Sequence, residues 1–237
     1  MLSIVIPCFN ESGSLARFEA ELLPELAALE QPYEVILVDD GSIDTSAGLF
    51  SMLASRHPEI KVFKHARNQG LGAALRTGFA ASKGEWIATL DADLTFHPKQ
   101  LKALLAKQEE TGADLVSGSP YMNLDGMKGV PWARRLPSFM INAIYRGLFE
   151  PSFSSYTPIF RLYSAGTLKH LPLQSRGFEI NAEIAVRFWL TQRRIAEVPV
   201  VLETRREGQS KLNRFRELWR HARLIMDLFK ESSAHPV

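Results

Sequence analysis

Only one cysteine, Cys8, occurs in the 237 residues. No intrachain disulfide is possible, so the fold must rest on its apolar core. Because Cys8 sits inside the first apolar run, it is expected to be a buried, inert thiol in a reducing compartment. Long hydrophobic runs are also missing: no stretch approaches the roughly 18 uncharged apolar residues that a membrane-spanning helix needs. The opening "MLSIVIPCFNE" has no basic n-region and is broken by Pro7 and Asn10, so it is expected to be a strand and not a signal peptide. Internal repeats, low-complexity tracts and Gly/Ser linkers are lacking too, which leaves one principal domain as the default. Neither sign of charge dominates, with a net charge of +2, and 46% hydrophobic with 23% charged residues suffices for one sizeable core.

What is present is an alternation of strand-like and helix-like segments, the pattern of a mostly parallel α/β sheet covered by helices. "LSIVIPCF", "YEVILVDD", "IKVFKHA", "EWIATLDAD" and "ADLVSGSP" read as strands, with helices over 12–29, 43–56, 70–82 and 98–111 between them. Further on come the apolar stretch "SFMINAIYRGLFEPSF", a strand "FRLYS", a helix around 178–190 and a strand "IAEVPVVLE". Polar residues cluster where strands stop: Asn10 and Glu11, Asp39 and Asp40, Asp91 and Asp93. In open α/β sheets ligands bind beyond the carboxyl ends of the strands, so the three clusters are expected to share one crevice. Each alone could equally be capping or turn chemistry, for which Ser12, Ser42 and Asp44 are well suited.

If the strand geometry of "EWIATLDAD" continues, Asp91 and Asp93 point to one side, because side chains alternate with period two. Adjacent carboxylates repel unless a cation lies beside them, and hard oxygen ligands suit Mg²⁺ or Mn²⁺. Such a site has one or two carboxylates and fills its remaining positions from water and a substrate diphosphate. "RNQGLGAALRTGF" contains G-x-G but neither a full dinucleotide fingerprint nor a Walker lysine, so Gly70 and Gly72 are read as allowing close backbone approach at a helix start. Arg161, inside an apolar strand, needs an anion, supplied by a buried ion pair or a ligand phosphate. Glu179 and Glu183 are one helical turn apart; they are either a base and its orienting group or partners of Arg176 and Arg187.

Taken together, "SIVIPCFNE", "EVILVDDGSIDTS", "RNQGLGAALRTGFAASKGEWIATLDADLTFHP", "FRLY", "GFEINAEI" and "EVPVVLETRREGQSKL" resemble the inverting glycosyltransferases of family 2. The likeness is greatest to the polyprenyl-phosphate branch that includes dolichol-phosphate mannose synthases. It implies a GT-A fold, a nucleotide-sugar donor and Mg²⁺ or Mn²⁺. It also implies that Pro7, Phe9 and Glu11 line the nucleoside pocket, with Asp39 and Asp40 near base or ribose. Asp91-Ala92-Asp93 would lie on the donor diphosphate, Asp91 and Asp93 holding the metal. Arg205, Ser210 and Lys211 would grip phosphates of donor or acceptor, and Arg135 in "WARRLPS" would belong to the acceptor loop; Asp93, Arg205 and Lys211 would carry the catalysis. Three positions depart from the branch: Pro120 replaces an arginine in "GSPY", Ser155 replaces an aspartate in "SYTPIFR", and Thr95 stands where a glutamine commonly follows the metal aspartates. The first two bear on sugar and acceptor identity, the third on an auxiliary ligand.

The C-terminal part is basic, with seven Arg and Lys against two Glu over 205–223. Residues 1–211 are expected to form the catalytic domain and 212–237 an amphipathic helix and tail. Leu212, Phe215, Trp219, Ala222, Ile225 or Met226, and Phe229 recur at helical spacing as an apolar stripe beside a basic face. That helix suits either a membrane interface or the core. The expected partners are a nucleotide sugar, a polyprenyl-phosphate acceptor and, peripherally, the cytoplasmic face of a membrane, with a membrane-protein partner or a second copy left open. Nucleic acid is not expected, since no recognition motif or base-stacking array accompanies the basic tail. A soluble glycan or protein acceptor, or a silent nucleotide-binding scaffold, are the alternatives.

Overall fold

Alternation along each strand divides the apolar residues between two cores. In β1 (Leu2–Cys8), Leu2, Ile4, Ile6 and Cys8 enter one cluster and Val5 the other; in β2 (Tyr33–Asp39), Val35 and Leu37 are separated in the same way from Ile36 and Val38. A sheet buried on both faces follows, and the computed structural model, which describes residues 1–123, 126–127, 132–203 and 214–234, contains it. Seven strands stand in the order β3-β2-β1-β4-β6-β5-β7. The remaining strands are β3 (Ile60–Lys64), β4 (Trp86–Thr89), β5 (Leu115–Ser119), β6 (Arg161–Ser164) and β7 (Ile195–Pro199). Pairing is parallel except that β6 runs antiparallel to both β4 and β5.

The first core is covered by a bent helical run and two further helices. The run comprises a 3₁₀ turn at Ser12–Ser14, α1 (Leu15–Arg17), a π-helical turn at Phe18–Leu22 and α2 (Leu23–Ala27). It inserts Phe18, Leu22 and Leu26, beside Phe50 and Leu53 of α3 (Ser46–Arg56). The second core takes Leu75 and Phe79 from α4 (Leu71–Ala81), while Leu101 and Leu104 of α5 (Leu101–Thr111) return to the first. Also in the second core are Tyr145 and Phe149, at the end of α6 (Trp132–Leu148), Leu168 of α7 (Ala165–Leu168) and most of α8 (Ile180–Leu190). The last helix, α9 (Arg214–Ala234), adds Leu224 and Leu228.

One expectation is corrected, and the inward face of the last helix is defined. The strand carrying the aspartates ends at Thr89, because the chain turns at Leu94, a buried non-glycine residue with φ +48°. Asp91 and Asp93 therefore lie in a turn and owe their orientation to local hydrogen bonds, not to strand alternation. On α9 the face turned inward is His221, Leu224 and Leu228, while Trp219, Met226 and Phe229, from the expected stripe, are exposed. Spacing alone identified an apolar surface but not the face the core takes. Leu212 lies outside the described residues.

A polar seat holds α9. The hydroxyl of Tyr145 and Nδ1 of His221 are 3.1 Å apart, Glu231 pairs with Arg187 at 2.9 Å, and Glu217 accepts the amide of Phe178 at 3.2 Å. Burial holds the His221 imidazole neutral, pushing its pKa down from 6.5 to about 4 against the opposing field of Glu179. The unfolded chain takes up this proton near its ordinary value, the folded chain only near 4, so the contribution is fully present above the unfolded pKa and is lost as pH falls between them. Wild type is expected to lose on the order of 2–3 kcal/mol more between pH 7 and pH 4 than His221→Gln, read by urea denaturation at each pH.

Candidate functional site

Sheet order brings the three polar clusters to one edge. β2, β1 and β4 are neighbours, and their carboxyl ends are tied by the Asp40 amide donating to the Cys8 carbonyl at 2.8 Å and the Leu90 amide to the Val5 carbonyl at 3.2 Å. Pro7, Phe9 and Glu11 follow from β1, Asp39 and Asp40 from β2, and Asp91, Ala92 and Asp93 from β4. Glu11 accepts from the Ser14 hydroxyl at 3.0 Å, and its amide donates to Ser46 Oγ at 2.8 Å. Asn10, with φ +55°, is held by Ser42 and Ile43. Ser42 thus braces the end of β1 instead of capping a helix, while Asp44 accepts the Ser46 amide at 3.0 Å at the start of α3. Cys8 is buried and its thiol pKa is pushed up by burial, the inert state expected.

The two aspartates of β2 differ. Asp40 is saturated: Oδ1 accepts from the Gln69 amide at 2.9 Å and from His65 Nδ1 at 2.6 Å, and Oδ2 from the Gly70 amide at 2.8 Å. A carboxylate there is an acceptor, so Nδ1 carries the proton and Nε2 accepts from the Thr77 hydroxyl, 2.9 Å away. Asp40 thereby closes the loop before α4 onto the strand end. The loop can lie there only because Gly41 and Gly70, at φ +72° and +97°, lack Cβ atoms that would stand 2.4 Å from the Arg67 carbonyl carbon and 2.3 Å from the Arg176 oxygen. Asp39 instead accepts one bond, from the Ser42 amide at 2.8 Å, and its Oδ2 is buried with no hydrogen-bond partner. An orphaned buried acceptor is a position for a ligand donor.

Thr95 organises the Asp91–Asp93 turn. Its hydroxyl donates to Asp91 Oδ2 at 3.1 Å and its amide to Asp93 Oδ1 at 3.2 Å. Arg17, itself gripped by Glu21 at 2.7 Å, donates to the Asp93 carbonyl. No signal in the sequence singles out Arg17, because its partner lies 76 residues away. The donor set fits a hard divalent cation: two carboxylates in one turn, and no group of three or more His, Cys, Asp or Glu side chains among the described residues that would complete a site without substrate oxygens.

The remaining candidates lie around β5 and β6 and in the loop before α8. Arg161 is fully buried and, among the described residues, pairs with no carboxylate; its donors meet Ser117 Oγ at 3.1 Å and the carbonyls of Ser155, Tyr156 and Asn181. Glu183 accepts from the Ser175 amide at 2.8 Å and pairs with Arg187 at 3.0 Å, and Glu179 receives the amides of Arg176 and Gly177. Both glutamates brace the loop before α8. The neighbours of the departures at Pro120 and Ser155 meet: Ser119 and Ser154 hydroxyls are 2.7 Å apart, and Tyr121, Ser138 and Thr157 form a hydroxyl chain at 2.6 and 2.7 Å. Arg135 lies on α6, and Arg205, Ser210 and Lys211 fall outside the described residues.

The sequence profile of glycosyl transferase family 2 matches residues 3–171. The chain belongs to that family. Among curated relatives, undecaprenyl-phosphate 4-deoxy-4-formamido-L-arabinose transferase of Edwardsiella ictaluri is 32% identical over 89% of this chain and 62% of its own length. The Pseudomonas fluorescens protein of the same description is 34% identical over 91% and 61%. The chain therefore spans about three-fifths of these relatives. Its fold is GT-A: glucosyl-3-phosphoglycerate synthase from Mycobacterium tuberculosis, solved with Mn²⁺, UDP and phosphoglyceric acid, superposes with a TM-score of 0.71 at 19% identity, covering 100% of this chain and 80% of that one. TarS from S. aureus, solved with UDP-GlcNAc, gives 0.62 at 20% identity over 96% of this chain and 66% of its own.

Asp40→Asn puts an amide N–H₂ among three donors. Its stability in urea is expected to fall by about 2–3 kcal/mol, and amide exchange at Gln69 and Gly70 to accelerate; unchanged exchange at both would show that the loop closes without Asp40.

Proposed function

We propose that the chain is a metal-dependent inverting glycosyltransferase that moves a hexose from a GDP- or UDP-linked donor to a polyprenyl phosphate of the dolichyl or undecaprenyl type. The observation that carries this is the Asp91–Asp93 turn at the sheet edge of a family 2 chain, beside the buried acceptor of Asp39. Naming of the curated relatives as undecaprenyl-phosphate transferases supports the lipid acceptor.

In this reading Pro7, Phe9 and Glu11 flank the nucleoside, and Asp39 offers Oδ2 to a donor on the base or ribose. Asp91 and Asp93 would hold Mg²⁺ or Mn²⁺, whose chemistry there is to neutralise charge on the donor diphosphate. Arg205, Ser210 and Lys211 bind phosphate oxygens, and Arg135 positions the acceptor. A lipid monophosphate is already an anionic nucleophile, so the protein must chiefly place it opposite the leaving group. The engagement of Glu179 and Glu183 with loop amides agrees with a reaction that needs no strong general base. Residues 1–211 form the catalytic part in this proposal, and the remainder is its membrane-facing or core-packing appendage.

Peripheral contact with a cytoplasmic membrane face is supported by what α6 and α9 leave outside. Leu136, Phe139, Met140 and Ile144 on α6, and Trp219 and Phe229 on α9, are all exposed, next to Arg146, Arg216 and Arg223. No described helix is long and apolar enough to cross a membrane. Vesicles containing phosphatidylglycerol are expected to sediment the protein at low salt and neutral phosphatidylcholine vesicles to do so far less; equal recovery with both would sink the electrostatic part.

The activity is tested by incubating the protein with Mn²⁺, a panel of GDP- and UDP-sugars and a short-chain polyprenyl phosphate. A lipid-linked sugar is expected from one donor and at least 100-fold less from Asp93→Ala. Transfer to a soluble acceptor without lipid would favour the second reading, and donor turnover unaffected in Asp93→Ala would favour a scaffold.

A further inference from the structure

We propose that Thr95 is the positioning residue of the aspartate pair and ties it to Glu203. The inference rests on the reading of Asp91 and Asp93 as metal ligands, but concerns a residue that touches neither metal nor substrate.

Three hydrogen bonds meet on this one residue. The hydroxyl reaches Asp91 Oδ2, the amide reaches Asp93 Oδ1, and the carbonyl accepts the Glu203 amide at 2.8 Å. They are brought together by the turn: the Leu94 amide donates to the Asp91 carbonyl at 3.1 Å, and Leu94 at φ +48° reverses the chain so that residue 95 comes back beneath residues 91 and 93. A left-handed leucine is strained, and its side chain, fully buried in the first core, holds it in place.

The consequence is geometric. Two carboxylates on adjacent arms of a turn repel and would swing apart about their side-chain torsions. A bond from one shared residue to each keeps an oxygen of each engaged and sets the spacing of the pair before any cation arrives. Threonine does this better than serine because branching at Cβ restricts its χ1. Outer-shell partners of this kind orient ligands and change metal affinity by about 10–100-fold when removed. Where the resemblance predicts a glutamine that would itself be an auxiliary ligand, this chain has a shorter side chain whose donor is directed at Asp91.

The Glu203 bond gives the same residue a second task. Glu203 is the last described residue before the segment that contains Arg205, Ser210 and Lys211. The turn of the acidic pair and Glu203 are therefore joined at residue 95 across 108 positions of sequence.

The test compares wild type, Thr95→Val and Thr95→Ser for Mn²⁺ binding by electron paramagnetic resonance, with UDP and separately with GDP present, alongside thermal unfolding without metal. Thr95→Val removes the hydroxyl and keeps both backbone bonds. Its Mn²⁺ affinity is expected to fall about tenfold while its metal-free unfolding temperature stays near wild type, and Thr95→Ser is expected to stay within about threefold of wild type. Valine binding Mn²⁺ as tightly as threonine, or serine as weakly as valine, overturns the role of Thr95 and leaves the donor site standing. Wild type that binds Mn²⁺ with neither nucleotide overturns both.

Discussion

A guanidinium sealed from water must find protein oxygens for its donors, and that demand at Arg161 ties the half of the molecule around β5 and β6 together. The residue sits in β6 between β4 and β5, opposite Thr89 and Ser117. Its bonds gather β5 through Ser117, the entering loop through Ser155 and Tyr156, and the start of α8 through Asn181. Phe153 lies under it at 5.8 Å. A chain that satisfied this charge with one carboxylate could anchor one element; carbonyls from separate elements anchor several. Position 155, where the resembling branch has an aspartate, offers its main-chain oxygen here, so the change of side chain leaves the anchorage in place.

The half around β1 and β2 is organised by the opposite charge. Asp40 gathers loop amides as Arg161 gathers carbonyls, and each does so at a strand end where a regular ladder has no further partner to offer. Charged hubs at strand ends and apolar alternation within strands divide the work. The strands supply burial, and the hubs decide where the loops go.

That division explains what the sequence discloses. Strand and helix positions in the first 120 residues follow from period-two and helical patterning, and the convergence of three polar clusters follows from strand ends alone. The orientation of Asp91 and Asp93 does not, because a left-handed leucine and a threonine hydroxyl set it, and neither has a periodic signature. Arg161 is legible as a charge in need of a partner, yet apart from the Ser117 hydroxyl its partners are main-chain oxygens that carry no residue identity. The same holds for Glu183, whose loop amides cannot be read from composition. For α9, Leu224 and Leu228 lie at the same helical spacing as the residues that stay outside, and only the position of α6 and α8 decides between the faces.

The reversed direction of β6 has one more consequence. In an all-parallel sheet each strand brings one connection to the reactive edge, the one that leaves it. β6 instead delivers the connection that enters it, so residues 154–160 arrive beside the ends of β4 and β5 without belonging to the loops that leave β1, β2 and β4. Ser155 lies in this entering loop, and Pro120 lies just beyond β5, against it. The carboxyl edge of the sheet is therefore framed by two kinds of connection, those that leave parallel strands and one that enters an antiparallel strand, so a change in length or composition of the short entering loop leaves the strand exits of β1, β2 and β4 as they are.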